Sequence, residues 1–332
     1  MSSFVAEILQ DVALDDDRPF TPRSLPTRAD RGFRLVSTAA GMISLLIVVL
    51  TLVFLADKSR PAFKKSGVVG FFTNSDWSAQ SGKFGVLGLA ENTLIISLVA
   101  LCVGVPVALG MAVFINEYAP ARVRRIITSA IDLLAAMPSL LFGIWGEHAL
   151  EGPITKLAAW FGHHLSVLPF FRLSSSQIQS PSFTGSTLQA GIVVGIMIIP
   201  IVTSVSRDVM AQVPRDQCEG ALALGGTRWG MVRDVILPFG RSGIVGGILL
   251  GLGRALGETI AIVFIVDQVV AVNTHILARG SGSIASWIAT NFDGSSPLDR
   301  SGLVAAGLTL FILTFIVNMA ARIIVARSQR FS

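Results

Sequence analysis

Six runs of the chain are apolar on every face rather than on one: Leu35 to Ala56, Asn92 to Asn116, Ile126 to Gly146, Leu188 to Ser206, Gly243 to Val266 and Leu303 to Ala321. Each is close to the roughly 20 residues that a helix needs to cross the hydrocarbon layer of a bilayer. A helix that is apolar all round has no face to turn to water, so these runs predict an all-α membrane protein of about six transmembrane helices. Two runs carry an internal proline, Pro106 (between Gly104 and Gly110) and Pro138. Proline removes a backbone donor, so both predict kinked or broken helices of the kind that neighbouring helices stabilise in membranes.

The segments between the runs are polar. Residues 1–34 hold the acidic run Asp15 to Asp17 and scattered arginines, and read as a tail. The first apolar run begins too late for the core of a signal peptide, so it is expected to remain uncleaved. Asp57 to Glu91 is amphipathic, and its Phe71, Phe72, Trp77 and Phe84 are expected to form an aromatic belt at the membrane surface rather than a docking site. Glu147 to Ser186 contains His148, His163 and His164 and the stretch SSSQIQSPSFTGS, and reads as an irregular extramembrane loop. Adjacent His163 and His164 are poorly placed to share a metal, and no Cys or carboxylate stands at ligand spacing. Asp267 to Arg300 is a second polar loop.

Composition agrees with the pattern. Of 332 residues 52% are hydrophobic and 14% charged, with a mean hydropathy of +0.68, too apolar for a water-exposed surface. The net charge of +5 excludes little, because arginine accumulates on the cytoplasmic loops of membrane proteins. Arg18, Arg23, Arg28, Arg31 and Arg34, then Arg122, Arg124 and Arg125, then Arg215, Arg228, Arg233 and Arg241, and finally Arg322, Arg327 and Arg330 all fall on alternate loops. That side is expected to be the cytoplasm, with both termini there. Lys58, Arg60, Lys64 and Lys65 run against the rule. Cys102 and Cys218 fall in a predicted membrane helix and a cytoplasmic loop, so no disulfide is expected.

The longest stretch that is neither membrane-like nor linker-like is QCEGALALGGTRWGMVRDVILP, Gln217 to Pro238. It predicts a short helix from Asp216 to Leu224, a stop at Gly225 and Gly226, and a second helix from Thr227 to Val235 ending at Pro238. The stretch resembles the coupling-loop motif of ABC-importer permeases: Glu-Ala-Ala, three residues, Gly, nine residues, then Ile-x-Leu-Pro. The matching residues are Glu219, Ala221, Gly225, Val235, Leu237 and Pro238, with Gly220 replacing the first Ala and Val235 the Ile. FGVLGLAENTLIISLVALCVGVPVALGMAVFINEYAP, DLLAAMPSLLFGIWG and GLGRALGETIAIVF are similar to membrane segments of phosphate-uptake ABC permeases of the PstC type. With the coupling stretch, the resemblance covers most of residues 71–270.

What this resemblance implies is a type I importer permease. It would have a cytoplasmic tail (1–34), a transmembrane domain (35–325) with its coupling loop at 207–241, and a second cytoplasmic tail (326–332). It would pair with a homologous permease subunit of the PstA type. Outside would stand a periplasmic or lipid-anchored phosphate-binding protein of the PstS type, and inside an ATPase dimer of the PstB type. Glu219, Ala221, Gly225, Leu237 and Pro238 would meet that ATPase, the short helix at Glu219 seating in a groove of it. The chain has no Gly-x-x-x-x-Gly-Lys-Ser/Thr loop, so ATP and magnesium are expected on the partner, with no cofactor or metal and no catalytic residue here.

Arg254 and Glu258 stand four apart in the fifth run and so are expected on one helix face. A charge at membrane depth costs about 2.5–3.5 kcal/mol on insertion scales, so both should face a bundle interior or a wet cavity. Two readings follow: a structural pair, or a phosphate path in which the Arg254 fork binds the anion and Glu258 neutralises it when the path is empty. GRALGET is a segment in which the resembling permeases carry the same charged pair. Asp132 is a further possible partner. Gly246, Gly247, Gly251, Gly253 and Gly257 permit close helix contact, either with a partner subunit or within the chain. The alternative functions are a permease for molybdate or sulfate, and a stand-alone transporter or membrane enzyme, which the coupling stretch disfavours.

Overall fold

The computed structural model describes residues 28–329 except 79, 166, 168, 172–182, 184 and 273. The first 27 residues of the tail and most of the SSSQIQSPSFTGS stretch therefore lie outside the described residues. The chain divides into two units, residues 1–52 and 53–332. In the first, the described residues belong to helix α1 (Arg28–Ser66), and their apolar side chains from Phe33 to Leu52 are exposed. That is the surface of a helix whose solvent is lipid.

The second unit begins in the later part of α1 and continues with α2 (Val68–Thr73), a minimal hairpin of β1 (Trp77–Ser78) and β2 (Lys83–Phe84), and α3 (Leu87–Val113). Then follow α4 (Ala121–Ala136), α5 (Ser139–Ala149), α6 (Glu151–His164), α7 (Thr187–Met210), α8 (Arg215–Ala223), α9 (Arg228–Met231), α10 (Leu237–Leu256), α11 (Ile260–Ile265), α12 (Ile284–Asn291) and α13 (Pro297–Gln329). The all-α membrane expectation is met. Five helices are long and apolar enough to span a membrane, and a sixth span results if α4 and α5 count as one.

Helices α3, α7 and α10 form the centre of this unit, and small residues set their spacing. A Cβ on Gly104 would lie 2.7 Å from the Gly195 carbonyl oxygen, and one on Gly191 would lie 2.5 Å from Val99 Cβ. On α10, Gly243, Gly247 and Gly251 face Val209, Val205 and Val202 of α7 at every fourth residue. Gly246 and Gly253, on another side of α10, have open space. The glycine stripe is thus divided: the intrachain alternative holds for Gly247 and Gly251, while Gly246 and Gly253 remain uncovered.

Several sequence expectations need correction. The third run is not one straight helix, because α4 and α5 meet at Pro138 with a bend of 98°. Buried Gln189 holds that bend: its Nε2 donates to the Gly146 carbonyl at 3.0 Å and its Oε1 accepts from the Gly185 N–H at 2.8 Å. The loop from Glu147 contains helix α6, where the His164 ring stacks on Trp160. The loop from Asp267 contains α12, opened by a reciprocal Ser283–Ser286 capping box. The aromatic belt is mostly core instead: Phe71 and Phe84 are fully buried, and Trp77 meets both Phe84 and Trp287 edge to face. Hairpin pairing of Trp77 with Phe84 brings these rings together, a non-local contact that a linear spacing does not reveal. Lys64 and Lys65 close the last turn of α1, where they complement the helix dipole.

The divided stripe makes a stability prediction. Gly251→Leu should overpack the α7 contact and lower unfolding free energy in detergent by about 1–3 kcal/mol. Gly246→Leu, in open space, should stay within about 0.5 kcal/mol of the parent. Thermal or denaturant melts of the two purified variants, compared side by side, check this; equal losses would refute the assignment of faces.

Candidate functional site

The coupling-like stretch forms a wholly exposed helix on a fixed mount. Helix α8 buries no residue, and Glu219, Leu222 and Leu224 all stand exposed. Its end is a Schellman closure: the Gly226 N–H reaches the Ala221 carbonyl at 3.1 Å and the Gly225 N–H reaches Leu222 at 3.0 Å. Gly225 adopts φ +86°, which a side chain with a Cβ rarely tolerates, and a Cβ on Gly226 would sit 2.5 Å from the Ala221 oxygen. The glycine pair is therefore required by geometry. Thr227 then caps α9 by accepting from the Gly230 N–H at 3.0 Å.

Beneath α8, Cys218 and Ala221 rest against a cluster that includes Met210, Val213, Met231 and Val232. Burial, followed by the Glu117 and Glu219 carboxylates, raises the Cys218 thiol above its ordinary range. Asn116 ties the neighbouring helix ends together: its Nδ2 donates to the Arg207 carbonyl at 2.9 Å, and its own carbonyl accepts from Arg124 at 2.9 Å.

The second helix of the stretch does not end at Pro238, as expected, but runs on without interruption as Arg228–Leu256. Pro238 lacks the N–H that an α-helix interior needs. A π-helical turn at Val232–Ile236 stands just before it, with the Leu237 N–H bonded to the Val232 carbonyl, and shifts the hydrogen-bond register there. The fifth run is corrected at both ends. Its helix starts well before Gly243 and stops at Leu256, and Gly257 to Thr259 break it before the short α11.

That break separates Arg254 from Glu258, which do not share a continuous helix face and form no ion pair with each other. Arg254 is exposed and lines an open groove of about 1050 Å³ between α10 and α13. Glu258 is 7% exposed, and its Oε1 accepts from the Ala261 N–H at 3.2 Å, capping α11. Ala261 in turn packs on Gly143 of α5, whose Cβ would lie 2.9 Å from Ala261 Cα. Through this contact Glu258 braces the bent pair α4/α5 against the break. Asp132 is exposed on α4 and is not among the residues lining the groove.

The groove adds residues that sequence reasoning did not single out as a site. Ser242, Gly246, Gly253 and Arg254 come from α10, and Asn318 and Arg322 from α13. The available signal was the helical spacing of Asn318 and Arg322 in an otherwise apolar last run. Arg322 had counted only as one more charge at a helix end.

Residues 104–330 match the family of binding-protein-dependent transport system inner membrane components. The phosphate transport system permease protein PstC 2 of Mycobacterium tuberculosis is 40% identical over 301 residues, covering 90% of this chain and 92% of that protein. PstC of Xylella fastidiosa is 37% identical over 304 residues, covering 91% and 92%. Among solved structures, a bacterial ABC transporter that imports the acidic polysaccharide alginate superposes with a TM-score of 0.57 at 17% identity, over 90% of this chain and 99% of that one. The MetNI methionine ABC transporter gives 0.52 at 14% identity, over 73% and 95%. These structures share the fold of ABC importer permeases, with its type I arrangement of helices. The chain belongs to the binding-protein-dependent inner-membrane transport components, together with the PstC permeases.

Proposed function

We propose that the chain is the PstC-type membrane subunit of an ATP-driven importer for inorganic phosphate. It works beside a PstA-type permease, a PstB-type ATPase dimer and a PstS-type phosphate-binding protein. The observation that carries the reading is one rigid rod. The 29-residue helix Arg228–Leu256 begins at the capped glycine joint of α8 and places Arg254 in the groove near its other end. At 1.5 Å per residue, the 26 residues from Arg228 to Arg254 span about 39 Å, enough to cross a bilayer core.

In this reading α8 docks into the ATPase on the cytoplasmic side, where both termini of the chain also lie. Leu222 and Leu224 supply apolar contact, and Glu219 a polar one. Closure of the ATPase dimer moves α8 as a unit, because its closure at Gly225 and Gly226 allows little bending, and the rod transmits that motion to the groove. ATP and magnesium stay on the ATPase, and this chain contributes no catalytic residue. Arg254 offers the anion a planar, permanently charged fork with five donors. Glu258 acts through the helix break it caps rather than as the counter-ion of Arg254.

Two experiments test the reading. Gly225→Val should leave membrane insertion intact, because α8 lies outside the spans, while ATPase copurification and phosphate uptake fall several-fold. Parental values of both would remove α8 from the coupling role. In reconstituted vesicles, Arg254→Gln should reduce phosphate uptake by at least about tenfold with the assembled complex intact, and Arg254→Lys should recover part of it. Glu258→Gln keeps the oxygen that accepts from Ala261, so it should impair uptake less than Arg254→Gln. Normal uptake by Arg254→Gln would refute the pathway role, and preference for sulfate or molybdate over phosphate in the parent would refute the substrate.

A further inference from the structure

We propose that Arg322 is a second anion station in the groove that holds Arg254, so that a phosphate group leaving Arg254 is next received by Arg322. The inference rests on the phosphate-importer reading and extends it to a residue of the last helix. The groove is built from two helix faces. Phe315, Asn318, Met319 and Arg322 follow one another at i, i+3, i+4 and i+7 on α13, and the α10 lining residues from Ser242 to Arg254 keep the same spacing. Two guanidinium groups line this groove and no carboxylate does.

Both arginines are exposed, and neither forms an ion pair among the described residues. Both lie within membrane-spanning helices, Arg228–Leu256 and Pro297–Ile323. An unpaired cation at such a position is costly unless it reaches water or meets an anion. Two cations on one groove without an acid between them repel each other when it is empty, and an oxyanion moving along it relieves that repulsion. On α10 the groove runs from Ser242 to Arg254, about 18 Å at 1.5 Å per residue, longer than one phosphate can bridge. A single arginine would leave most of that path without an anion contact. Asn318, one turn before Arg322, has its Nδ2 tied to the Thr314 carbonyl at 2.9 Å and is thereby held on the groove face.

The chemistry recognised is a phosphate oxyanion, and the headgroup of a phospholipid carries the same group. An arginine near a helix end often extends to such headgroups, so the experiment must separate the two sources. The transporter with its partner subunits and loaded binding protein is reconstituted into vesicles of phosphatidylcholine alone and of phosphatidylcholine with phosphatidylglycerol. Uptake of labelled phosphate and ATP hydrolysis stimulated by the binding protein are then measured. Arg322→Gln should lower uptake by at least about tenfold in both lipids, while assembly and stimulated hydrolysis persist. Arg322→Lys should restore part of the loss.

Three results would overturn the proposal: unchanged uptake in Arg322→Gln; a defect confined to vesicles with anionic lipid, which would make Arg322 a headgroup anchor; and loss of assembly in both Arg322→Gln and Arg322→Lys, which would make it a subunit contact. Arg254→Gln measured in parallel separates this failure from that of the function itself. A dead Arg254→Gln beside a normal Arg322→Gln removes only the second station, whereas normal uptake by Arg254→Gln removes the path altogether.

Discussion

The bundle depends on how closely the backbones of α3 and α7 approach. In lipid, association gains little from hiding apolar surface, so van der Waals contact must supply the attraction, and that contact requires short distances. Gly104, Gly191 and Gly195 provide them by exposing backbone to backbone and to Val99 and Ala100. Once α3 and α7 are locked, α10 can dock on α7 only through its own glycine stripe. That fixes which side of α10 is left to form the groove. The same logic recurs at the bent pair, where Gly143 meets Ala261 and Gly146 meets Val193.

The parts of this architecture that were legible in the sequence are local ones. Apolar runs of spanning length marked the membrane helices, and Gly225-Gly226 followed by Thr227 marked a stop and a start, because caps are encoded within a few residues. The unread parts are those in which distant segments decide. Pro238 reads as a helix end until the π-helical turn before it adjusts the hydrogen-bond register, and GRALGET reads as one face until Gly257 breaks it. Phe71 and Phe84 read as surface aromatics because nothing nearby announces the hairpin, or the approach of Trp287 from some 200 residues away. At the site, Arg254 stood out as a charge in an apolar run. Arg322 did not, because arginines at the ends of spans are common and only the fold sets this one opposite Arg254.

The break at Gly257 also changes what a buried carboxylate does here. Glu258 is separated from the arginine it accompanies in sequence, and its oxygen serves a backbone N–H at the start of α11. The hydroxyl of Ser283 approaches its carbonyl at 3.5 Å, and Thr93 accepts from the Ile284 N–H at 3.0 Å. Polar groups inside the bundle therefore connect α3, the break and α12 in one network. In a low-dielectric interior such a network holds firmly when its donors are satisfied. The groove-facing arginine is mounted on one side of that junction and the bent pair on the other.

The π-helical turn at Val232–Ile236 has a consequence for how this chain can change over time. It holds one residue more than an α-turn, and about 100° of rotation accompanies each residue of a helix. Removing a single residue there would restore regular geometry locally but turn everything beyond it by about that angle. Gly243, Gly247 and Gly251 would swing away from α7, and Arg254 would leave the groove. Length between the glycine joint and the membrane rod is therefore also an angular setting. Substitutions in this segment, such as Val235 at the motif's isoleucine position, leave the phase untouched, whereas an insertion or deletion would rotate the docking helix out of step with the groove.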